Sequence, residues 1–344
     1  MSTLVVTTSW PRTRDLVAGV FVFDDASARA REGVSLIVAS PRGEGLALRA
    51  ERIETIDVPH AGLFGSPGAA VRARAQPWRA VGLVPWRAAI AAIADARRPT
   101  ALVAHWLVPS ALAVTTIAST APLEAIAHGG DVRALEALPK SMARECIDRI
   151  AARARIFRAV SASLAERIAT IAPAIARSIV VAPMPLAIDD AETLTRVRLR
   201  ASALRRSTPR AFAIVVSRLV PTKPVEAAIA AAARAAAHVV VVGDGPDRSK
   251  LEARARRRGL DVRFVGALAH EEALAWIAAS IYMVVACADG EGAPTVAREA
   301  AALGVEASIV EAREGRKYQR GVDALADAAG AGTCASFAPL LRNE

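Results

Sequence analysis

Residues 212–245 read FAIVVSRLVPTKPVEAAIAAAARAAAHVVVVGDG. Two short aliphatic runs, Phe212–Ser217 and Val239–Gly243, enclose the alanine-rich stretch Val225–Ala236. A short, unbroken apolar run suits a strand buried on both faces, and a longer alanine-rich stretch suits a helix. Strand, helix and strand in that order make a βαβ unit, in which the two strands run parallel. The apolar text from Val225 to Val242 is interrupted by Arg234 and His238, so it is read as this helix and strand and not as a membrane span.

The same alternation continues on both sides. Toward the C terminus it predicts strands at Val262–Val265 and Met283–Ala286 and helices at Asp247–Arg258, Glu271–Ala279 and Pro294–Leu303. Toward the N terminus it predicts strands at Leu4–Thr8, Ser35–Ala39, Ile53–Val58, Ala101–His105, Leu123–Ala127, Ile156–Val160 and Ile179–Ala182. Helices fall between them, among them Gly19–Arg31, Ala88–Ala96, Ala137–Ala152 and Ser163–Ile171. Ala182-Pro-Met-Pro-Leu-Ala-Ile-Asp-Asp190 breaks the rhythm, because Pro183 and Pro185 fit neither a helix interior nor a central strand. A polar, arginine-rich helix around Glu192–Arg206 follows. The expectation is an α/β chain of two Rossmann-like, doubly wound domains, 1–185 and 186–344, facing across a cleft. Ligands of such sheets bind beyond the carboxyl ends of the strands.

The 44 Lys and Arg outnumber the 34 Asp and Glu, a formal net charge of +10. That balance fits either anionic partners or a generally basic, solvated surface. The basic residues are scattered, and neither zinc-finger spacing nor an aromatic-rich RNA signature occurs, so nucleic acid is not an expected partner. Cys146, Cys287 and Cys334 are too far apart for a disulfide framework or a metal cluster. With no signal-like leader before Leu4-Val-Val6, a cytoplasmic setting is expected. Between Arg72 and Arg87, Trp78 and Trp86 are interleaved with Arg74 and Arg79. This composition suits an anionic membrane surface, at the inner face of the membrane, or else an ordinary surface loop broken by Pro77 and Pro85.

Two clusters carry chemistry. Ser217-Arg-Leu-Val-Pro-Thr-Lys223 follows a buried strand and offers the planar fork of Arg218 and the mobile charge of Lys223, a pair suited to a diphosphate. Glu291-Gly-Ala-Pro-Thr-Val-Ala-Arg-Glu299 follows the next strand but two. Pro294 is expected at a first helical position, and the free N–H groups of that helix start, behind flexible Gly292, form an anion cradle. Glu291 and Glu299 are placed to accept hydrogen bonds from sugar hydroxyls.

These motifs, with Val242-Gly-Asp-Gly-Pro-Asp-Arg248 and Val262-Arg-Phe-Val-Gly266 between them, resemble glycosyltransferase family 4, whose fold is GT-B. The N-terminal half resembles it through Ser9-Trp-Pro11, Ala18-Gly-Val-Phe21, Ala104-His-Trp-Leu-Val-Pro109 and Ala127-His-Gly-Gly-Asp131. The resemblance covers roughly residues 1 to 304. It implies a retaining transfer from a nucleoside-diphosphate sugar to a glycan, lipid or small-molecule acceptor, without a cofactor or catalytic metal. No Asp-x-Asp pair occurs.

By the match, Arg218 and Lys223 neutralise the departing diphosphate. Glu299 binds the ribose and Glu291 the donor sugar, with Gly292, Ala293, Pro294 and Thr295 forming the donor loop. His128 lies near the donor sugar across the cleft, and Gly19 lets the backbone approach the diphosphate. Asp131 faces the acceptor side or caps a helix starting at Val132, and His105 is read as structural. Pro224 replaces the family's usual glycine. The text after Gly304 lacks the family's Gly-Gly loop, which predicts an atypical or shortened donor domain. A nucleotide-sugar epimerase and a non-catalytic sugar-nucleotide-binding protein are the alternatives.

Overall fold

The computed structural model describes residues 2–13, 18–65, 69–208, 210–287, 294–313 and 316–321. They fall into two units, one ending at Pro185 and the other beginning at Leu186. The first holds β1 (Ser2–Val6), β2 (Ser35–Pro41), β3 (Ile53–Val58), β4 (Ala101–His105), β5 (Leu123–Ala127), β6 (Ala154–Ala159) and β7 (Ile179–Val181). Their order is β3-β2-β1-β4-β5-β6-β7, and every pairing is parallel.

The second unit holds β8 (Phe212–Val216), β9 (His238–Val242), β10 (Asp261–Gly266), β11 (Tyr282–Cys287), β12 (Ala307–Arg313) and β13 (Arg316–Gly321). Their order is β10-β9-β8-β11-β12-β13. All of these pairings are parallel except that of β13, which runs antiparallel to β12. In each sheet the direction of winding reverses once, between β1 and β4 and between β8 and β11. Such a reversal opens a crevice at the carboxyl edge of the sheet.

Alternation along the strands explains why helices cover both faces. Leu4 and Val6 enter a core with Trp86 and Ile90, whereas Val5 enters the opposite one with Trp10 and Val22. In the second sheet Ile214 packs with Trp276 and Val285, and Ala213 and Val215 pack with Ile229 and Val284. Each fully buried aliphatic side chain contributes roughly 1.5–3 kcal/mol relative to exposure. Side-chain caps set two helix starts: Ser161 Oγ accepts from the Leu164 N–H at 3.3 Å, and Asp190 Oδ2 from the Thr193 N–H at 2.9 Å.

The structure departs from the expectations in four places. Arg72–Arg87 is not a proline-broken loop: it falls in the helix Ala69–Ala75, the 3-10 helix Pro77–Gly82 and the start of the helix Leu83–Arg97, which contains the expected Ala88–Ala96. Pro77 starts the 3-10 helix and Pro85 sits in a first turn, where the missing N–H has no partner to lose. Trp86 is 0% exposed and belongs to the core, whereas Trp78 is 65% exposed. The helix expected at Ala137–Ala152 begins only at Lys140, after Pro139, and runs to Arg153; a separate short helix, Gly130–Glu136, precedes it.

Pro294 is the residue before the helix Thr295–Ala302, with an extended ψ of 128°, and not its first residue. The text after Gly304, read as atypical, supplies β12 beside β11 and then β13.

Candidate functional site

In the second unit the loop leaving β8 is stitched to the loop leaving β9. The Ser217 N–H donates to Val242 O at 3.0 Å, the Leu219 N–H to Asp244 O at 2.9 Å, and the Asp247 N–H to Leu219 O at 3.0 Å. Gly243 and Gly245 make that approach available. At φ 130° and 154°, a Cβ on Gly243 would stand 1.9 Å from Ser217 O and one on Gly245 2.4 Å from Leu219 O. The glycine motif therefore serves to hold the segment that displays Arg218, whose side chain is exposed. Lys223, half-buried, reaches from the same loop to Ala286 O at 3.4 Å, at the carboxyl end of β11. Both cations thus belong to the edge where β8 and β11 part. Arg248 differs: it is tied to Asp244 at 3.0 Å and Glu252 at 2.9 Å.

The chain returns at Pro294 and Thr295, behind β11 and ahead of the helix Thr295–Ala302. Glu299 on that helix is 4% exposed, and its Oε1 lies 2.7 Å from His270 Nε2, the first residue of the helix His270–Ala279. A buried carboxylate requires such a partner. Glu291, Gly292 and Ala293 lie outside the described residues.

The first unit gathers different groups at its equivalent edge. His105 ends β4 and His128 follows β5; His105 Nδ1 and His128 Nε2 are 3.1 Å apart. Beneath them Asp25, from the helix Val20–Arg31, lies 3.5 Å from His105 Nε2. Asp25 and Glu124 share two guanidiniums: Arg29 at 2.7 and 2.9 Å, and Arg158 at 3.7 and 3.2 Å. Burial pushes the Asp25 carboxyl up, but Arg29, with His105 and Arg158, holds it well below the usual range. Burial likewise opposes the Arg29 charge, and Asp25 and Glu124 outweigh it, raising that group above its ordinary value. His128 is pushed well below the ordinary imidazole value, first by burial and then by His105 and Arg158.

Asp131 is a staple. Its Oδ2 accepts from the Leu107 N–H at 2.6 Å, and its Oδ1 from the N–H groups of His128 at 3.1 Å and Val132 at 2.9 Å. Burial raises its carboxyl, and these N–H groups partly offset the rise. The staple joins the loops after β4 and β5, and between them Trp106 holds a φ of 69°. That conformation costs on the order of 1–3 kcal/mol and persists where the surroundings over-determine it. Gly19, the residue before Val20–Arg31, has φ 79°, and a Cβ there would lie 2.7 Å from the Ser9 carbonyl. The loop after β1 alone therefore demands a glycine.

The structure brings Arg218 and Lys223 to one edge of their sheet, and His128 and Asp131 to one edge of theirs. It adds groups that the motifs did not name: Asp25, Arg29, Glu124, Arg158 and His270. A charge inside an apolar strand, Glu124 in β5 and Arg158 in β6, was the available signal. Among the described residues, no helix is long and apolar enough to cross a membrane.

The family model for group 1 glycosyl transferases matches residues 200–315. No curated protein matches the chain by sequence. Among solved structures, HepE from Anabaena, in complex with UDP and glucose, is similar at 18% identity and a TM-score of 0.63, over 91% of this chain and 81% of that one. A UDP-forming α,α-trehalose-phosphate synthase from Burkholderia vietnamiensis is similar at 14% identity and a TM-score of 0.61, over 90% and 84%. A UDP-N-acetylglucosamine 2-epimerase from Rickettsia bellii is similar at 11% identity and a TM-score of 0.56, over 89% and 78%. These likenesses show the fold: two Rossmann-like units of the GT-B kind.

Proposed function

We propose that the chain is a retaining glycosyltransferase of the family 4 type, using a nucleoside-diphosphate sugar as donor and no catalytic metal. The observation that carries this reading is the glycine-held loop that presents Arg218 and Lys223 at the parting of β8 and β11, inside the family match. As the bond to the sugar breaks, negative charge gathers on the diphosphate, and fixed cations stabilise it more in the transition state than in the ground state. Glu299, held by His270, takes the ribose hydroxyls; Glu291, Gly292, Ala293, Pro294 and Thr295 complete the donor loop. His128 acts toward the sugar, and Asp131 sets the loop that carries it. Gly19 leaves room for the diphosphate as well as for the Ser9 carbonyl. HepE is described with UDP and UDP-glucose, which makes uridine nucleotides the first donors to try. The acceptor is a glycan, a lipid or a small molecule.

A thermal-shift screen of nucleoside-diphosphate sugars tests the donor, because a ligand specific to the native state stabilises it by mass action. Stabilisation by one or a few of them is expected, and no response to any would sink the reading. The likeness to the Rickettsia epimerase favours a second reading, epimerisation of the donor sugar. Incubation with donor alone separates the two, since only an epimerase returns an epimerised sugar.

The working surface for a lipid acceptor is the segment around Trp78. Trp78, Val81 and Val84 are 65%, 65% and 63% exposed, beside exposed Arg74 and Arg87. Aromatic and aliphatic side chains among arginines fit the headgroup region of an anionic, cytoplasm-facing bilayer. Co-flotation with phosphatidylglycerol vesicles that is lost in Trp78→Ser would support this. Equal flotation of both proteins would remove it.

A further inference from the structure

The charges beneath His105 dictate where the protons of the histidine pair sit. Arg29 and Arg158 carry two positive charges, and Asp25 and Glu124 carry two negative ones. The set is balanced without a histidinium. The Asp25 carboxylate has Arg29 at Oδ2 and Arg158 near Oδ1, and its Oδ2 faces His105 Nε2 at 3.5 Å. A carboxylate opposite a ring nitrogen favours an N–H there, since a lone pair would be repelled. When uncharged, His105 with its proton on Nε2 presents a lone pair at Nδ1.

That lone pair meets His128 Nε2 at 3.1 Å, so the bond requires a proton on His128 Nε2. The two rings are inclined by only 22° with centroids 5.2 Å apart, the arrangement of imidazoles meeting edge to edge through a shared N–H. Phe21 and Trp106, with centroids 5.0 and 5.1 Å from that of His128, pack around the ring and restrict it. The Asp131 bond to the His128 N–H fixes the backbone from which the ring projects.

We propose that Asp25 and His105 are positioning residues that hold His128 as the Nε2–H tautomer, leaving its Nδ1 a hydrogen-bond acceptor for a hydroxyl of the sugar. The tautomer follows from the geometry of the first unit alone; the identity of the hydroxyl rests on the glycosyltransferase reading. Asp25 sits on one helix, His105 on β4, Glu124 on β5 and Arg158 on β6, so four separate elements determine the position of one proton.

Nitrogen-15 NMR of the full, histidine-labelled chain at pH 8 reads the tautomer directly, with the His128 signals assigned by their loss in His128→Gln. A protonated Nε2 and bare Nδ1 are expected in the wild-type protein. A protonated Nδ1, or an even mixture, would overturn the proposal without any variant being made. His105→Phe is expected to release His128 into a mixture, while His105→Asn, which keeps an acceptor near the Nδ1 position, retains the single form. A single unchanged tautomer in His105→Phe would remove the positioning role.

With the best donor of the screen, His105→Phe is expected to lower kcat by roughly two- to tenfold, the range of one neutral hydrogen bond, with KM little changed and with recovery in His105→Asn. Unaltered turnover alongside an altered tautomer would overturn the assignment of Nδ1 to the sugar. Absence of transfer by the wild-type chain would count against the glycosyltransferase reading and leave the tautomer measurement standing.

Discussion

The parting of β1 and β4 in the first unit and of β8 and β11 in the second are the same place in two copies of one topology. They are furnished in opposite ways. The first is largely buried and charge-balanced: Asp25 and Glu124 are buried against Arg29 and Arg158, and burial opposes the charged form of His128 above them. The second exposes Arg218 on a loop whose shape comes from backbone bonds and two glycines, with Lys223 beside it. Winding order supplies a crevice and does not select its chemistry. A balanced, buried set of charges suits the holding of a proton. An exposed guanidinium suits the arrival of an anion.

The largest effect is expected at the second edge. Arg218→Ala or Lys223→Ala should lower turnover by roughly 10²–10³-fold while weakening donor binding less, because the charge they meet grows as the bond breaks. Arg218→Lys should recover part of the loss, since Lys keeps the charge and loses the fork. Wild-type kinetics in folded variants would place the diphosphate elsewhere and end the contrast.

Next in size is Gly243→Ala. Its Cβ would sit 1.9 Å from Ser217 O at a φ of 130°, so overpacking should cost about 1–3 kcal/mol, read as a fall in the melting temperature. An unchanged melt would mean that the loop has another shape available.

Glu299→Ala should weaken donor binding by about tenfold, the worth of a charge-assisted hydrogen bond, with calorimetry as the measurement. An unaltered dissociation constant would reduce the Glu299–His270 pair to a structural contact.

The smallest expected effect sharpens the first edge. His128 is held neutral in the folded chain but takes up a proton near pH 6.5 when unfolded, so the unfolded state binds more protons below that pH. Stability should therefore fall as the pH drops below about 6.5, and His128→Phe should flatten that part of the urea-midpoint profile. Parallel profiles for the two proteins would show that burial does not oppose the charge.

Where sequence was informative, the reason was local. β4 coincides with its aliphatic run Ala101–His105, because a strand buried on both faces leaves an almost uninterrupted apolar signature. The motif around Arg218 was readable because Arg218, Pro221 and Lys223 lie close together directly after an apolar strand.

The buried quartet was not readable. Asp25 and Arg29 share a helix turn, but Glu124 and Arg158 reach them from distant strands, and a charge in a strand announces that a partner exists without saying which. β12 went unread because Glu306 and Glu311 dilute its apolar run. Pro85 misled because a proline ends a helix only beyond the first turn.

The quartet also constrains how the chain can vary. Removing one member of a buried ion pair strands the other, typically at a cost of ~3–5 kcal/mol, whereas exchanging the whole set for apolar residues of similar volume is often neutral. Asp25, Arg29, Glu124 and Arg158 therefore form one heritable unit, with a valley of unstable single mutants around it. Drift at any of the four should be seen only in company with the others.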